Sequence, residues 1–158
     1  MGKVVTLDVL RRAREEFRRN NKKVVFTNGC FDIIHRGHVE YLSKARTLGD
    51  VLVVGMNTDN STRHIKGTKR PIVTQGDRAY IVANLSPVDY VCLFDDDTPL
   101  EIIRDLVPDV LVKGADWDAN DIVGKDIVER AGGIVATIDF VPDHSTSSII
   151  DQILKLYS

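Results

Sequence analysis

The sequence has few of the features that mark disulfide-rich, secreted or membrane-spanning proteins. Its 158 residues include only two cysteines, Cys30 and Cys92, which are too few for a disulfide framework and lack the spacing of a zinc site. Both are therefore expected to be free thiols. No apolar run approaches the ~18 residues that a membrane helix needs, and the N-terminal residues lack the apolar stretch of a secretory signal. These absences predict a cytoplasmic protein with no membrane segment.

Positive charge is not in excess either. Lys and Arg number 21 against 23 Asp and Glu, a formal net charge of −2, which gives no basis for a broad attraction to nucleic acid. Residues 1–23 do carry eight Lys or Arg against three Asp or Glu. There, however, the arginines alternate with Leu7, Leu10 and Phe17 at helical spacing, which favours a solvated helix face. The sequence predicts no nucleic-acid partner.

What the sequence does contain is a regular alternation of β-branched runs with helical patterns. The length predicts one domain, residues 1–158. Strands are predicted over residues 23–28, 51–56, 89–94, 109–114 and 133–138. Helices are predicted over residues 7–19, 37–48, 76–85, 98–106, 121–131 and 146–157. Such alternation predicts an α/β fold, a doubly wound, Rossmann-like sheet of five parallel strands.

Polar residues follow the predicted strands at the point where each strand ends. Ligands of open parallel sheets bind beyond the carboxyl ends of the strands. The exits read TNGCFDIIHRGH, MNTDNS, FDDDTP, KGADWD and VPDHSTSS. Each is rich in Gly, Asn, Asp, Ser, Thr or His, whereas the opposite turns are ordinary. The sequence therefore predicts the functional site at this edge of the sheet.

The stretch from Thr27 to His38 carries the clearest chemical signal. His35 and His38 share one face of a first helical turn if the helix begins near His35. The backbone N–H groups of such a turn bind anions, and Gly37 removes a side chain where a phosphate chain must pass closely. This arrangement fits a triphosphate. An isolated histidine at a helix start is, by contrast, more commonly a cap or a surface residue.

Two other interpretations of this stretch have less support. A metal site on the His-x-x-His pair lacks a third ligand at the spacing of zinc enzymes. Cys30 near a helix N-terminus could be an activated thiol, but no base is placed by the sequence to serve it.

The pattern Phe31-Asp32-x-x-His35-x-Gly37-His38 resembles the signature of the nucleotidylyltransferase superfamily. A more specific resemblance is carried by FTNGCFDIIHRGHVEYLSKARTLGD, KGTKRPI, GDRAYIVANL, FDDDTPLEII, PDVLVKGADW and STSSII. Together these segments resemble the adenylyltransferase domain of ADP-heptose synthases, the heptose 1-phosphate adenylyltransferases, over residues 3–155. Because the chain begins just ahead of that domain, we expect the stand-alone enzyme, without the sugar-kinase domain of bifunctional versions.

The resemblance implies transfer of AMP from ATP to D-glycero-D-manno-heptose 1-phosphate, giving ADP-heptose and pyrophosphate for lipopolysaccharide or another cell-envelope polysaccharide. It implies ATP and heptose 1-phosphate as binding partners, Mg²⁺ bound through the ATP phosphates rather than by the protein, and, at family level, a homodimer. Two alternatives stay open. One is a cytidylyltransferase acting on a polyol phosphate such as glycerol 3-phosphate, and the other is a nucleotide-binding domain without catalysis.

The resemblance and the strand exits together assign the site residues. The catalytic residues are His35, His38 and Lys66; we expect Lys66 on a flexible basic loop that closes on phosphates, with a solvated loop as the alternative. Trp117 is expected to stack on base or sugar, with core packing as the alternative. The ATP-binding residues are Thr27, Asn28, Gly29, Cys30, Phe31, His35, Gly37, His38, Lys113, Gly114, Ser145, Thr146, Ser147 and Ser148. The sugar phosphate-binding residues are Asp32, Asn57, Asp59, Lys66, Arg70, Asp116 and Trp117.

Overall fold

Strands and helices alternate through residues 1–115, 121–139, 141, 142 and 144–157, the part of the chain that this computed structural model describes. The strands are β1 Lys3–Val5, β2 Val24–Gly29, β3 Val51–Asn57, β4 Tyr90–Phe94, β5 Val110–Gly114 and β6 Ile134–Ile138. The helices are α1 Leu7–Arg19, α2 Arg36–Arg46, α3 Asp59–Lys66, α4 Gln75–Ala83, α5 Leu100–Leu106, α6 Lys125–Arg130 and α7 Thr146–Tyr157. Within these residues, no helix combines the length and apolar character needed to cross a bilayer.

The strands form one parallel sheet in the order β1-β4-β3-β2-β5-β6. From β2 the chain moves to β3 and β4 on one side, and then returns to place β5 and β6 on the other. The direction of winding therefore reverses between β2 and β5, which is where open α/β sheets form their ligand crevice. The doubly wound class is confirmed, but the sheet has six strands where we predicted five.

The additional strand is β1, at the edge of the sheet. Its three residues pair with β4 in the register Lys3 to Tyr90 and Val5 to Cys92. Thr6 follows at once as the N-cap of α1. A three-residue strand has no room for a recognisable pattern of its own, because strands are usually read from runs of 4 to 8 residues.

Both faces of the sheet are covered by helices. Val25 packs on one face in a cluster with Leu42 of α2, whereas Phe26 packs on the other face with Leu10 of α1 and Ile103 of α5. All five side chains are fully buried. Burial on both faces explains why β2 is a continuous apolar run until its last residues. The first polar side chains of this strand then appear at its carboxyl end.

Helix α3 occupies a region where we predicted a flexible loop. Ile65 is its one aliphatic residue, so no apolar periodicity indicates a helix. Its first turn is held locally: Thr58 Oγ1 accepts a hydrogen bond from the Ser61 N–H at 3.2 Å, and Asn57 Nδ2 donates to Ser61 Oγ at 2.9 Å. The predicted loop is therefore wrong for Lys66, which is the last residue of this helix, whereas Lys69 and Arg70 lie in the loop that follows it.

Candidate active site at the carboxyl edge of the sheet

A cavity of about 630 Å³ lies beyond the carboxyl ends of the central strands. This volume falls in the range of roughly 300 to 1,000 Å³ that small-molecule sites occupy. Asn28 and Lys113 are the residues before the last of β2 and β5, and the Lys113 ammonium donates a hydrogen bond to Asn28 Oδ1. This bond crosses the point where the sheet reverses its winding, so the cavity is located where the fold class predicts it.

Most of the predicted site residues line this one cavity. They are Asn28, Gly29, Cys30, Phe31, Asp32, His35, Gly37, His38, Asn57, Lys66, Arg70, Lys113, Gly114, Ser145, Thr146 and Ser147. Asp116 and Trp117 lie outside the described residues, so their roles stay predictions. Cys30 and Cys92 are both free thiols, as predicted.

Two residues that we predicted to bind substrate make hydrogen bonds to other side chains and do not line the cavity. Thr27 is fully buried, and its Oγ1 lies 2.8 Å from the hydroxyl of Tyr41. Asp59 Oδ1 accepts a hydrogen bond from Arg78 Nη2 at 2.7 Å. Neither side chain is among those that line the cavity. Their positions correct the prediction of direct contact, and they support neighbouring segments instead.

The start of α7 reaches the cavity, but some of its polar groups form hydrogen bonds to one another. Ser148 N–H donates to Ser145 Oγ at 3.0 Å, and the Ser148 hydroxyl donates to the Ser145 carbonyl at 2.7 Å. This local cap engages Ser148, which does not line the cavity as predicted. Thr146 Oγ1 donates to the main-chain carbonyl of Asp32 at 2.6 Å, which joins α7 to the segment after β2.

His35 is the N-cap residue of α2. Its Nδ1 accepts a hydrogen bond from the Gly37 N–H at 3.1 Å. A neutral imidazole whose Nδ1 accepts carries its proton on Nε2, so capping fixes the tautomer in which Nε2–H is a donor. A Cβ on Gly37 would lie 3.0 Å from the His35 ring. Glycine at this position therefore lets the histidine fold over the helix start.

His38 stacks on His35 with ring centroids 3.9 Å apart and planes 27° apart. Its Nδ1 is buried and has no hydrogen-bond partner among the described residues. Burial, and then the neighbouring His35, lower the pKa of His38 to about 4. Burial, followed by His144, also lowers the pKa of His35. At pH 7 the pair therefore offers neutral donors rather than positive charge to an incoming phosphate.

The main-chain amides of the first turn of α2 are less available than we predicted. Besides the Gly37 N–H that donates to the His35 ring, the His38 N–H donates to the His35 carbonyl at 3.0 Å. The cause is the capping by His35, which brings its own acceptors to these groups. At this end of the cavity, the donors available to a phosphate are therefore imidazole N–H groups more than main-chain amides of the helix.

Lys113, on the neighbouring strand β5, supplies a buried cation to the cavity. The residue is only 8% exposed, and burial lowers its pKa to about 8. It is therefore mostly protonated at pH 7. A desolvated ammonium interacts with a phosphate more strongly than a solvated one, since the effective dielectric constant around it is lower.

Asp32 is placed differently from our prediction. Its side chain is fully buried, and its oxygens accept hydrogen bonds from Arg70 Nε at 2.7 Å and from the N–H groups of Ile72 and Val73, both at 2.9 Å. A carboxylate that is occupied in this way by protein donors is not positioned to bind a sugar. The predicted direct contact of Asp32 with sugar phosphate is therefore not supported.

Arg78 is a structural centre of the site that the sequence patterns did not single out. Its guanidinium donates to the carbonyls of Cys30, Asn57 and Val73 and to the Asp59 carboxylate. The exits of β2 and β3 are thereby joined to the segment after α3. The sequence did contain an indication of this role, because Arg78 is the one charged residue on a helix face that otherwise holds apolar residues such as Ala79 and Val82.

Several other residues line the cavity without having been predicted. They are Tyr41, Ile65, Asp97, Thr98, Pro99, Val123 and His144. His144 directly precedes the predicted Ser-Thr segment, and Asp97 belongs to a strand exit that we had recognised as polar. The described part of the chain contains no group of three or more His, Cys, Asp or Glu side chains that could hold a metal ion.

Comparison with known proteins agrees with this geometry. Residues 26–152 match the family described as cytidylyltransferase-like. The chain is 55% identical over 156 residues to the bifunctional protein HldE of Citrifermentans bemidjiense and 54% identical over 156 residues to that of Syntrophotalea carbinolica. In each case 99% of this chain aligns with 32% of the relative. The chain thus spans about one third of the length of these relatives.

A solved structure shows the same fold at greater distance. It is the crystal structure of the lipopolysaccharide core biosynthesis protein from Thermoplasma volcanium, with a TM-score of 0.62 and 28% identity. The likeness covers 76% of this chain and 97% of that one. The motif of residues 31–38, the cavity and these matches agree. The chain belongs to the cytidylyltransferase-like family, a family of nucleotidyltransferases, as its sequence predicted.

Proposed function

We propose that this chain transfers AMP from ATP to the anomeric phosphate of D-glycero-D-manno-heptose 1-phosphate, releasing pyrophosphate and forming ADP-heptose. The observation that carries the proposal is the stacked His35–His38 pair in a cavity that also receives Lys113 and the start of α7. The near full-length likeness to HldE proteins and the likeness to a lipopolysaccharide core biosynthesis protein support a sugar phosphate as acceptor. They do not favour the polyol phosphate alternative.

The proposed reaction needs no general base. An oxygen of the sugar phosphate, already an anion, attacks the α-phosphorus of ATP, and the bond to pyrophosphate breaks with the electron pair leaving on pyrophosphate. Catalysis then consists of holding two anions in line and stabilising the charge on the transferred and leaving groups. The His35 Nε2–H is available as a donor, and Lys113, Lys66 and Arg70 supply cations.

We assign the remaining roles by position in the cavity. Asn28, Gly29, Cys30, Phe31, Gly37, Gly114, Ser145, Thr146 and Ser147 are proposed to surround ATP. Asn57, Lys66 and Arg70 are proposed to receive the sugar phosphate. Mg²⁺ is proposed to enter with ATP on its phosphates, where it would neutralise charge. We also propose that the enzyme works in the cytoplasm, where ATP is available; the homodimer stays a prediction from the resemblance.

The test is pyrophosphate release by the full chain with Mg²⁺, ATP and each anomer of the heptose 1-phosphate. We expect release with one anomer, together with an ADP-sugar product detected by mass spectrometry. CTP with glycerol 3-phosphate is the comparison reaction. Release in that reaction, with none from ATP and either heptose phosphate, would show that the acceptor and the nucleotide are wrongly assigned.

A further inference from the structure

Asp32 lies between two left-handed residues of the turn that follows β2. Phe31 has φ 50° and Ile33 has φ 49°, values that are uncommon for residues other than glycine and costly for bulky or branched side chains. Such a turn persists only where surrounding contacts determine it. Here the contacts are the three hydrogen bonds to the Asp32 carboxylate and the bond from Thr146 Oγ1 to its carbonyl.

The three donors to Asp32 all come from one short segment. Arg70 contributes its Nε, and Ile72 and Val73 contribute main-chain N–H groups. Burial alone raises the pKa of the Asp32 carboxyl, but the two N–H groups and Arg70 outweigh it and lower the pKa below its ordinary value. The carboxylate is therefore charged, and it fixes the segment of residues 70–73 against the turn.

Arg70 is bound through Nε alone. The side chain lines the cavity and is 18% exposed. In the part of the chain that the structure describes, Nη1 and Nη2 have no hydrogen-bond partner. A guanidinium is planar and holds its donors in a fixed fork, so a bond at Nε also sets the direction of the two terminal groups.

We propose that Asp32 is a positioning residue, which orients the Arg70 guanidinium so that its terminal N–H groups receive the phosphate of the acceptor. The proposal rests on the proposed function for the identity of that acceptor, a phosphate monoester. Asp32 itself does not touch substrate. It acts through Arg70, and this distinguishes it from a residue that only stabilises the fold.

The test uses the full chain and compares Asp32→Asn, Arg70→Ala and the double variant. We expect kcat/KM for heptose 1-phosphate to fall ~100-fold in Arg70→Ala and ~10-fold or more in Asp32→Asn. The double variant should match Arg70→Ala within about threefold, because Asp32 has no second route to the substrate. The affinity for ATP alone, measured by calorimetry, should change less than about threefold. Additive losses, or a parallel loss of ATP affinity, would overturn the proposal.

Chemical rescue gives a readout that a merely structural role would not move. Ethylguanidinium should restore part of the kcat/KM of Arg70→Ala and should fail in the double variant, where nothing orients it. Equal rescue in both backgrounds would contradict positioning by Asp32. If Asp32→Asn proves too unstable to assay, Arg70→Lys keeps the charge and Asp32 intact but loses Nε, and near wild-type activity in it would likewise overturn the proposal.

Asp109→Asn is the matched control. Asp109 also accepts from an arginine and a main-chain amide, Arg14 Nη2 at 3.2 Å and Val24 N–H at 2.7 Å, but at the opposite end of the sheet. This variant should be less stable and keep its kcat/KM. Loss of kcat/KM in Asp109→Asn equal to that in Asp32→Asn would mean that destabilisation explains both.

A binding measurement separates this proposal from the proposed substrate. If the wild type releases no pyrophosphate with either heptose phosphate, the substrate assignment is wrong, but inorganic phosphate can still be titrated against ¹⁵N-arginine-labelled protein. The Nε–H resonance of Arg70, identified by its loss in Arg70→Lys, should shift in the wild type and not in Asp32→Asn. No shift in the wild type, or the same shift in both proteins, would overturn the Asp32 proposal itself.

Discussion

Two lysines line the same cavity in opposite environments. Lys113 lies near the carboxyl end of β5, is 8% exposed and donates to Asn28. Lys66 ends α3, is exposed, and has no hydrogen-bond partner in the residues the structure describes. The Lys113 cation is thus held by the protein before substrate binds, whereas the Lys66 cation is exposed to solvent. We expect Lys113 to contribute mainly to the ground-state binding of ATP, and Lys66 to contribute mainly to turnover.

The largest expected effect concerns the histidine pair, which lines the same cavity as the two lysines. His38→Ala should lower kcat about 10²- to 10³-fold, the usual result of removing one preorganised donor to developing negative charge, and His35→Ala should do the same. Steady-state pyrophosphate release measures the loss, and circular dichroism checks the fold. Near wild-type turnover in both variants at saturating ATP would show that the histidines are only structural.

His35→Asn separates capping from catalysis. Asparagine is a good N-cap residue, so the variant should keep the stability of α2 that His35→Ala loses, about 1 kcal/mol. It lacks the Nε2–H donor and should therefore be as inactive as His35→Ala. Full activity in His35→Asn would leave His35 as a cap alone.

The second prediction tests the exposed lysine, Lys66. Lys66→Ala should lower kcat and kcat/KM together by about 10²-fold, while the ATP affinity measured without sugar phosphate stays within a few-fold of wild type. Lys69→Ala removes an exposed charge three residues away that does not line the cavity and should have little effect. A normal kcat with a raised KM for ATP would instead make Lys66 a binding residue and would remove the contrast with Lys113.

The third prediction uses the low pKa of Lys113. Below pH 8 the ammonium is charged and favours ATP; above about pH 8 it loses its proton, so ATP affinity should fall by up to about tenfold per pH unit. Lys113→Met should bind ATP more weakly and lose this dependence.

The stability of the fold should depend on pH in the opposite direction and increase above pH 8. The reason is that the folded state holds the Lys113 proton less tightly than the unfolded chain does. The cost to folding is full below pH 8 and disappears as the pH rises toward 10.5.

The smallest effect concerns how α3 ends at Lys66. Gly67 has φ 95° and ψ 165°, a conformation that is essentially restricted to glycine and costs other residues about 1 to 3 kcal/mol. Gly67→Ala should lower the free energy of unfolding by about that amount and kcat by a few-fold, since Lys66 is displaced. Gly76→Ala, at an open position inside α4, should be neutral or stabilising. Equal stability of the two variants in urea would contradict this role of Gly67.

The central strands and the histidine corner were predictable from sequence because their signals are local. β2 is an apolar run buried on both faces, and the residues from Phe31 to His38 follow it directly in the chain. α3 was not predictable, since it lacks apolar periodicity and its Ser61 hydroxyl donates to the carbonyl of Asp96, 35 residues away in the chain. The proposed role of Asp32 also needed the structure: its partner Arg70 is 38 residues away, and no spacing rule connects them.

The short strand β1 has a consequence for how the protein behaves outside its active site. Residues 3–5 cover the backbone edge of β4, whose sequence YVCLF is apolar and rich in strand-forming residues. Removal of β1 would expose those N–H and C=O groups to pairing with the same strand of another molecule. We therefore expect that trimming these three residues, of which Val5 packs against the core, would increase self-association of the chain before it reduced catalysis.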